Sequence, residues 1–137
     1  MYPSACASTI NMCVWNVGGL KSRGMDKTCD PLFIRSIGKY DLVFLVETHL
    51  GYNSQLKTIG PFLYHPVCRT VSKSNQRYFW GLAILRKLNP KNHVKILKNT
   101  NPDYQWIKLE KDYFRFQRDL FICVVYYPPC LSTYTTK

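Results

Sequence analysis

A mixed α/β fold, one βαβ unit followed by antiparallel strands, is what this 137-residue sequence predicts. Three observations carry that expectation. Two apolar runs, Asn11 to Val17 and Leu42 to Val46, could be neighbouring strands. Between them, Asp30-Pro31 opens a segment with apolar residues at helical spacing. Past Val46 the pattern changes to short apolar runs separated by turn residues. A strand–helix–strand unit of this kind takes a right-handed crossover with parallel strands.

Asn11 to Val17 reads as a short buried strand that ends in Trp-Asn-Val-Gly-Gly. "KSRGMDKTCD" reads as a loop. Asp at the cap and Pro at the first helical position start a helix over about residues 31–40, whose apolar face is Leu32, Phe33, Ile37 and Tyr40. Gly38 weakens that helix without forbidding it. Leu42 to Val46 does not alternate, which suits a central strand buried on both faces. Further strands are expected at 62–68, 78–86, 93–98, 104–110 and 120–127, with Asn89-Pro90 and Asn101-Pro102 marking turns. "YQWIKLE" (104–110) alternates, so one of its faces should be wet.

The length suits a single domain, residues 1–137, able to bury a core without disulfides or metals. Nineteen Lys and Arg against eight Asp and Glu give a net charge of +11, which favours a polyanionic partner such as DNA. Six cysteines, at 6, 13, 29, 68, 123 and 130, form no C-x-x-C pair, and Cys13 and Cys123 lie in apolar runs. They read as reduced thiols and exclude a disulfide framework. The N-terminal residues show no signal-peptide pattern, and no apolar run approaches the length of a membrane span. An intracellular protein, nuclear or cytoplasmic, is expected, with no membrane and no small-molecule cofactor.

In a parallel βαβ unit the carboxyl ends of both strands lie at one edge of the sheet, where ligands of open α/β sheets bind. Asn16 ends the first strand and Glu47 follows the second. An amide carbonyl and a carboxylate are hard oxygen donors that suit Mg²⁺, which keeps much of its water shell. The glycines after Asn16 allow close approach of a phosphate. Spacing alone also fits a solvated strand end and a plain turn.

Taken together, "WNVGGL", the helix, "DLVFLVETHL", "WGLAIL" and "CVVYYPP" resemble the endonuclease/exonuclease/phosphatase superfamily. The resemblance spans about residues 10 to 130 and is nearest the apurinic-endonuclease-like domain of non-LTR retrotransposons. It implies half of a four-layer α/β sandwich of the DNase I-like type. It also implies a Mg²⁺-dependent DNA endonuclease, with Mn²⁺ as an alternative ion. Glu47 would then be the metal ligand, Asn16 would sit beside metal and scissile phosphate, and Tyr126 would approach the phosphate. Lys21, Arg23, Lys73 and Arg77 are the candidate DNA contacts, with solvated loops as the bland reading of each.

The sequence also departs from the family. Neither the Asp-x-Asn nor the Ser-Asp-His string occurs, and Pro129 stands where apurinic endonucleases carry a phosphate-contacting Asn. The chain therefore reads as a C-terminally truncated domain, inactive alone. It should form one sheet and a helix, leaving an apolar sheet face open to self-association. His49 reads as a surface histidine within reach of Glu47, and His65 and His93 as structural. Lys87, Lys91, Lys95 and Lys98 read as a charged sheet edge. Two other readings stay open: a non-catalytic basic nucleic-acid-binding remnant, and a branch acting on phospholipids, inositol phosphates or RNA ends.

Overall fold

A computed structural model describes residues 9–22, 24–50, 54–67, 81–88, 93–98 and 103–126. Strand β1 (Met12–Asn16) leads through a two-residue ribbon, β2 (Lys21–Ser22) and β3 (Met25–Asp26), and a 3₁₀ turn at Lys27–Cys29 into α1 (Pro31–Gly38). The Asp30 carboxylate accepts from Leu32 N at 3.0 Å, and Pro31 occupies the first turn, as the sequence predicts. β4 (Leu42–Val46) returns beside β1, in parallel. Then follow β5 (Thr58–Ile59), β6 (Phe62–Val67), β7 (Leu82–Lys87), β8 (Val94–Ile96), β9 (Tyr104–Leu109), the short helix α2 (Lys111–Phe114) and β10 (Leu120–Val125).

The architecture is mixed α/β. A five-stranded sheet runs β1-β4-β7-β6-β5, with β1 and β4 parallel and the remaining pairs antiparallel. β10-β9-β8 form a separate three-stranded antiparallel sheet. The central strands β4 and β7 send alternate side chains to opposite faces. Val43, Leu45, Ala83 and Leu85 pack with Phe33 and Ile37 of α1. Leu42, Phe44, Val46, Leu82 and Ile84 pack with Val94, Ile107, Leu109 and Val124 of the second sheet. Arg86 of β7 ties the two sheets together by donating to the Val94 carbonyl at 2.7 Å.

This stacking corrects one expectation. In place of one sheet with a bare apolar face there are two packed sheets and a ribbon, so both faces of β4 and β7 are covered. The first strand, expected to be buried, is instead an exposed edge, with Val14 64% exposed, and Leu32, expected on the apolar face of the helix, is 67% exposed; Phe121 of β10 is 54% exposed. Lys87 is not on an edge either: β7 is internal, and the Lys87 ammonium donates to the Gly38 carbonyl at 2.9 Å. Lys95 does lie on an edge strand, β8, and Lys91 falls outside the described residues.

Expected strand and helix limits shrink by a few residues, as fraying ends do. The first strand occupies 12–16, the helix 31–38 and the strand expected at 93–98 only 94–96. Of the expected strand at 78–86, residues 78–80 fall outside the described residues. Its visible start is Gly81, at φ +95 and packed so closely that an added Cβ would run into the buried Thr48 hydroxyl. Gly81→Ala should therefore cost about 2 kcal/mol of stability. The check is urea denaturation, with a lower midpoint at an unchanged slope.

Candidate active site

The parallel ladder brings Asn16 opposite Val46, and Val17 N extends it by donating to the Val46 carbonyl at 3.0 Å. Asn16 and Glu47 therefore leave adjacent strands at the same edge. The Asn16 carbonyl oxygen accepts from Gly18 N at 3.0 Å, closing a tight turn that Gly18 (φ +57) and Gly19 (φ +95) complete. Its amide nitrogen donates to Glu47 Oε2 at 2.9 Å. These two bonds fix the amide orientation, because a backbone N–H needs an acceptor and a carboxylate needs a donor.

Glu47 sits at φ +58 and His49 at φ +56, left-handed conformations that cost a non-glycine residue about 1–2 kcal/mol each. Backbone hydrogen bonds on both sides hold them there. Gly19 N donates to the Glu47 carbonyl at 2.7 Å, Leu20 N to the Thr48 carbonyl at 3.0 Å, and Thr48 N to the Gly81 carbonyl at 3.3 Å. The fully buried Thr48 is the pin between the two strained residues. With this kink the Glu47 carboxylate lies at the sheet edge, its side chain 21% exposed.

Tyr126 reaches the same carboxylate from the second sheet, its hydroxyl donating to Glu47 Oε2. Burial and the Glu47 carboxylate both push its phenol well above the ordinary tyrosine range, so it remains a proton donor at neutral pH. Tyr126 N also donates to the Asp103 carbonyl at 3.0 Å, which holds its backbone to the start of β9. The other Glu47 oxygen, Oε1, faces His49 Nε2 at 3.7 Å. Burial pulls the His49 imidazole below its usual range, against the opposing pull of Glu47.

Lys27 is a site residue with no signal in the sequence pattern. Its ammonium donates to the carbonyls of Val17 (2.7 Å) and Gly19 (2.8 Å), tethering the glycine turn. Asp26 caps the 3₁₀ turn that carries Lys27 by accepting from Thr28 N at 2.9 Å. The Thr28 hydroxyl bond leads the causes that lower the Asp26 carboxyl below its usual range.

Asn16, Glu47 and Tyr126 thus converge, although they are up to 110 positions apart (126 − 16). His49, expected at the surface within reach of Glu47, faces Glu47 Oε1 at 3.7 Å with its side chain only 29% exposed. Lys21 is turned toward Asp26, at 3.8 Å on the surface. Arg23, Lys73 and Arg77 fall outside the described residues. Among those described, no three His, Cys, Asp or Glu side chains form a metal cluster. The Asn16 oxygen is taken by Gly18 N and its NH2 faces Glu47, so the metal-type donor atoms at this edge are Glu47 Oε1 and the His49 imidazole. No helix of the described residues is long and apolar enough to cross a membrane. No protein-family model and no curated protein matches the chain.

The tether gives a direct test. Lys27→Met keeps the aliphatic stem but removes both hydrogen bonds, so amide exchange at Gly19 and Leu20 should accelerate at least about tenfold. Exchange in β4 and β7 should be unchanged, as read by NMR hydrogen exchange.

Proposed function

We propose that these residues form part of a Mg²⁺-dependent phosphodiester hydrolase, a DNA endonuclease of the endonuclease/exonuclease/phosphatase superfamily with a retrotransposon origin. The observation that supports it most is the convergence of Asn16 and Tyr126 on one oxygen of Glu47 at the carboxyl edge of a parallel strand pair. The order helix, mixed sheet, second sheet accords with three of the four layers of a DNase I-like sandwich.

In this reading Glu47, with Asn16 beside it, would hold the cation, whose contribution would be to neutralise charge developing on the phosphate. Asn16 and Tyr126 set the carboxylate in one rotamer before substrate arrives. The Tyr126 phenol, kept protonated, can turn its hydrogen bond to a phosphate oxygen or to the attacking water. Displacement is in line, with inversion at phosphorus. Net charge +11 supplies the sequence-independent attraction to the backbone, with Lys21, Arg23, Lys73 and Arg77 the proposed contacts. Self-association in this reading would use the end strands β1 and β10.

The Asp-x-Asn and Ser-Asp-His strings are absent from the sequence, and groups that act as a unit lose most of their rate when members are missing. Plasmid nicking by this chain with Mg²⁺ is therefore expected to be undetectable. Robust nicking that disappears in Glu47→Gln would overturn the inactivity but keep the chemistry.

The second reading, a non-catalytic basic nucleic-acid-binding remnant, is favoured by the charge alone. Fluorescence anisotropy on a labelled DNA duplex separates the two. Mg²⁺ ordinarily weakens electrostatic binding by competing for phosphates. A phosphodiesterase site predicts the opposite at low salt: Mg²⁺ tightens binding, and Glu47→Gln abolishes the gain. Weakening by Mg²⁺ in both proteins would leave only the remnant.

A further inference from the structure

The two oxygens of Glu47 are unequally occupied. Oε2 takes both the Asn16 amide, at 2.9 Å, and the Tyr126 hydroxyl. Oε1 has the His49 imidazole opposite it, and the 3.7 Å from Nε2 is too long for a direct hydrogen bond. Two donors each about 2.1–2.2 Å from one cation stand roughly 3.0–3.8 Å apart at ligand angles of about 90–120°. The 3.7 Å between Oε1 and Nε2 falls within that range. Both residues have left-handed backbones flanking the buried Thr48, so their backbone positions are held by the fold.

We infer that His49 is a second protein ligand at the Glu47 site, and that its nitrogen makes the site select a first-row transition ion of the Mn²⁺ type over Mg²⁺. Mg²⁺ wants an octahedron of oxygens and gives up water reluctantly. An imidazole nitrogen offers it little, whereas Mn²⁺ and the ions above it in the affinity order accept mixed nitrogen and oxygen donors. With Glu47 alone the two ions would be nearly interchangeable. The inference rests on the hydrolase reading for the ion's role, but the pairing of Oε1 with Nε2 is independent of substrate.

The test uses MnCl₂ as the probe and reads binding, not turnover. Titration followed by the electron paramagnetic resonance signal of free aquated Mn²⁺ gives the affinity, and competition with MgCl₂ gives the preference. Wild type should bind one Mn²⁺ per chain at least about tenfold tighter than Mg²⁺. Pulsed measurements should show ¹⁴N coupling from a bound imidazole. His49→Asn, chosen because Asn tolerates a left-handed backbone, should lose that coupling and about tenfold in Mn²⁺ affinity, with Mg²⁺ affinity nearly unchanged. Glu47→Gln should lose both ions.

If wild type shows no ¹⁴N coupling, or His49→Asn binds Mn²⁺ as tightly as wild type, the assignment of His49 is wrong. Loss of both ions only in Glu47→Gln would then leave the hydrolase reading intact. Failure of wild type to bind either ion would overturn both. The coupling measurement needs no variant, so a misfolded substitution cannot mask the result.

Discussion

The parallel pairing of β1 with β4 is the constraint on which everything at the sheet edge depends. Its register sets Asn16 against Val46, which leaves the Asn amide one step from the Glu47 carboxylate. A slip of one residue would turn Asn16 to the other face and place Val17 at the edge instead. Burial prevents the slip. β4 is covered on both faces, so either displacement would force its two rows of side chains into layers packed to fit the other row. The helix α1 fixes the same register from outside, since Phe33 packs at 5.1 Å against Trp15, the residue before Asn16.

A second dependence runs between the sheets. Tyr126 follows β10, yet its hydroxyl ends on Glu47, which follows β4. The position of the three-stranded sheet is therefore written into the site, and the closure of the sandwich is a condition for the carboxylate's rotamer. The packing of Val46 and Leu82 against Val124 holds that closure, with the Arg86–Val94 bond at the opposite end. Loosening the apolar layer would thus reach the carboxylate without any contact to it.

Much of the first half was legible in the sequence because periodicity there is strong. The unbroken run Leu42 to Val46, the Asp30-Pro31 start and the Asn16–Glu47 pair follow from patterns that act locally. The second sheet was not legible: alternation in 104–110 predicts a strand with one wet face but says nothing of which sheet it joins. The ribbon β2–β3, the 3₁₀ turn, β5 and α2 span two to four residues each, too few for any periodic signal. Tyr126 was reached only through family resemblance. The place of His49 depends on two left-handed residues, and Glu and His carry no sequence mark of that conformation. Lys27 acts on backbone carbonyls, which every residue has, so no partner motif could reveal it.

The strain at Glu47 and His49 bears on why the site is built this way. A strand that simply continued would send successive side chains to opposite faces, so residues 47 and 49 would share a face some 7 Å apart along the chain. With left-handed turns at both positions, Glu47 Oε1 and His49 Nε2 stand 3.7 Å apart. That gain costs backbone energy which the Gly19, Leu20 and Thr48 hydrogen bonds offset, and those bonds need Gly81 to lack a side chain where Thr48 packs. The Trp-Asn-Val-Gly-Gly turn and Gly81 are therefore parts of one device. One supplies donors to the kinked segment, the other supplies the acceptor and the room. Chemistry need not be assigned to Gly81 for it to matter to the carboxylate: remove the space it leaves, and Thr48 can no longer hold Glu47 and His49 face to face.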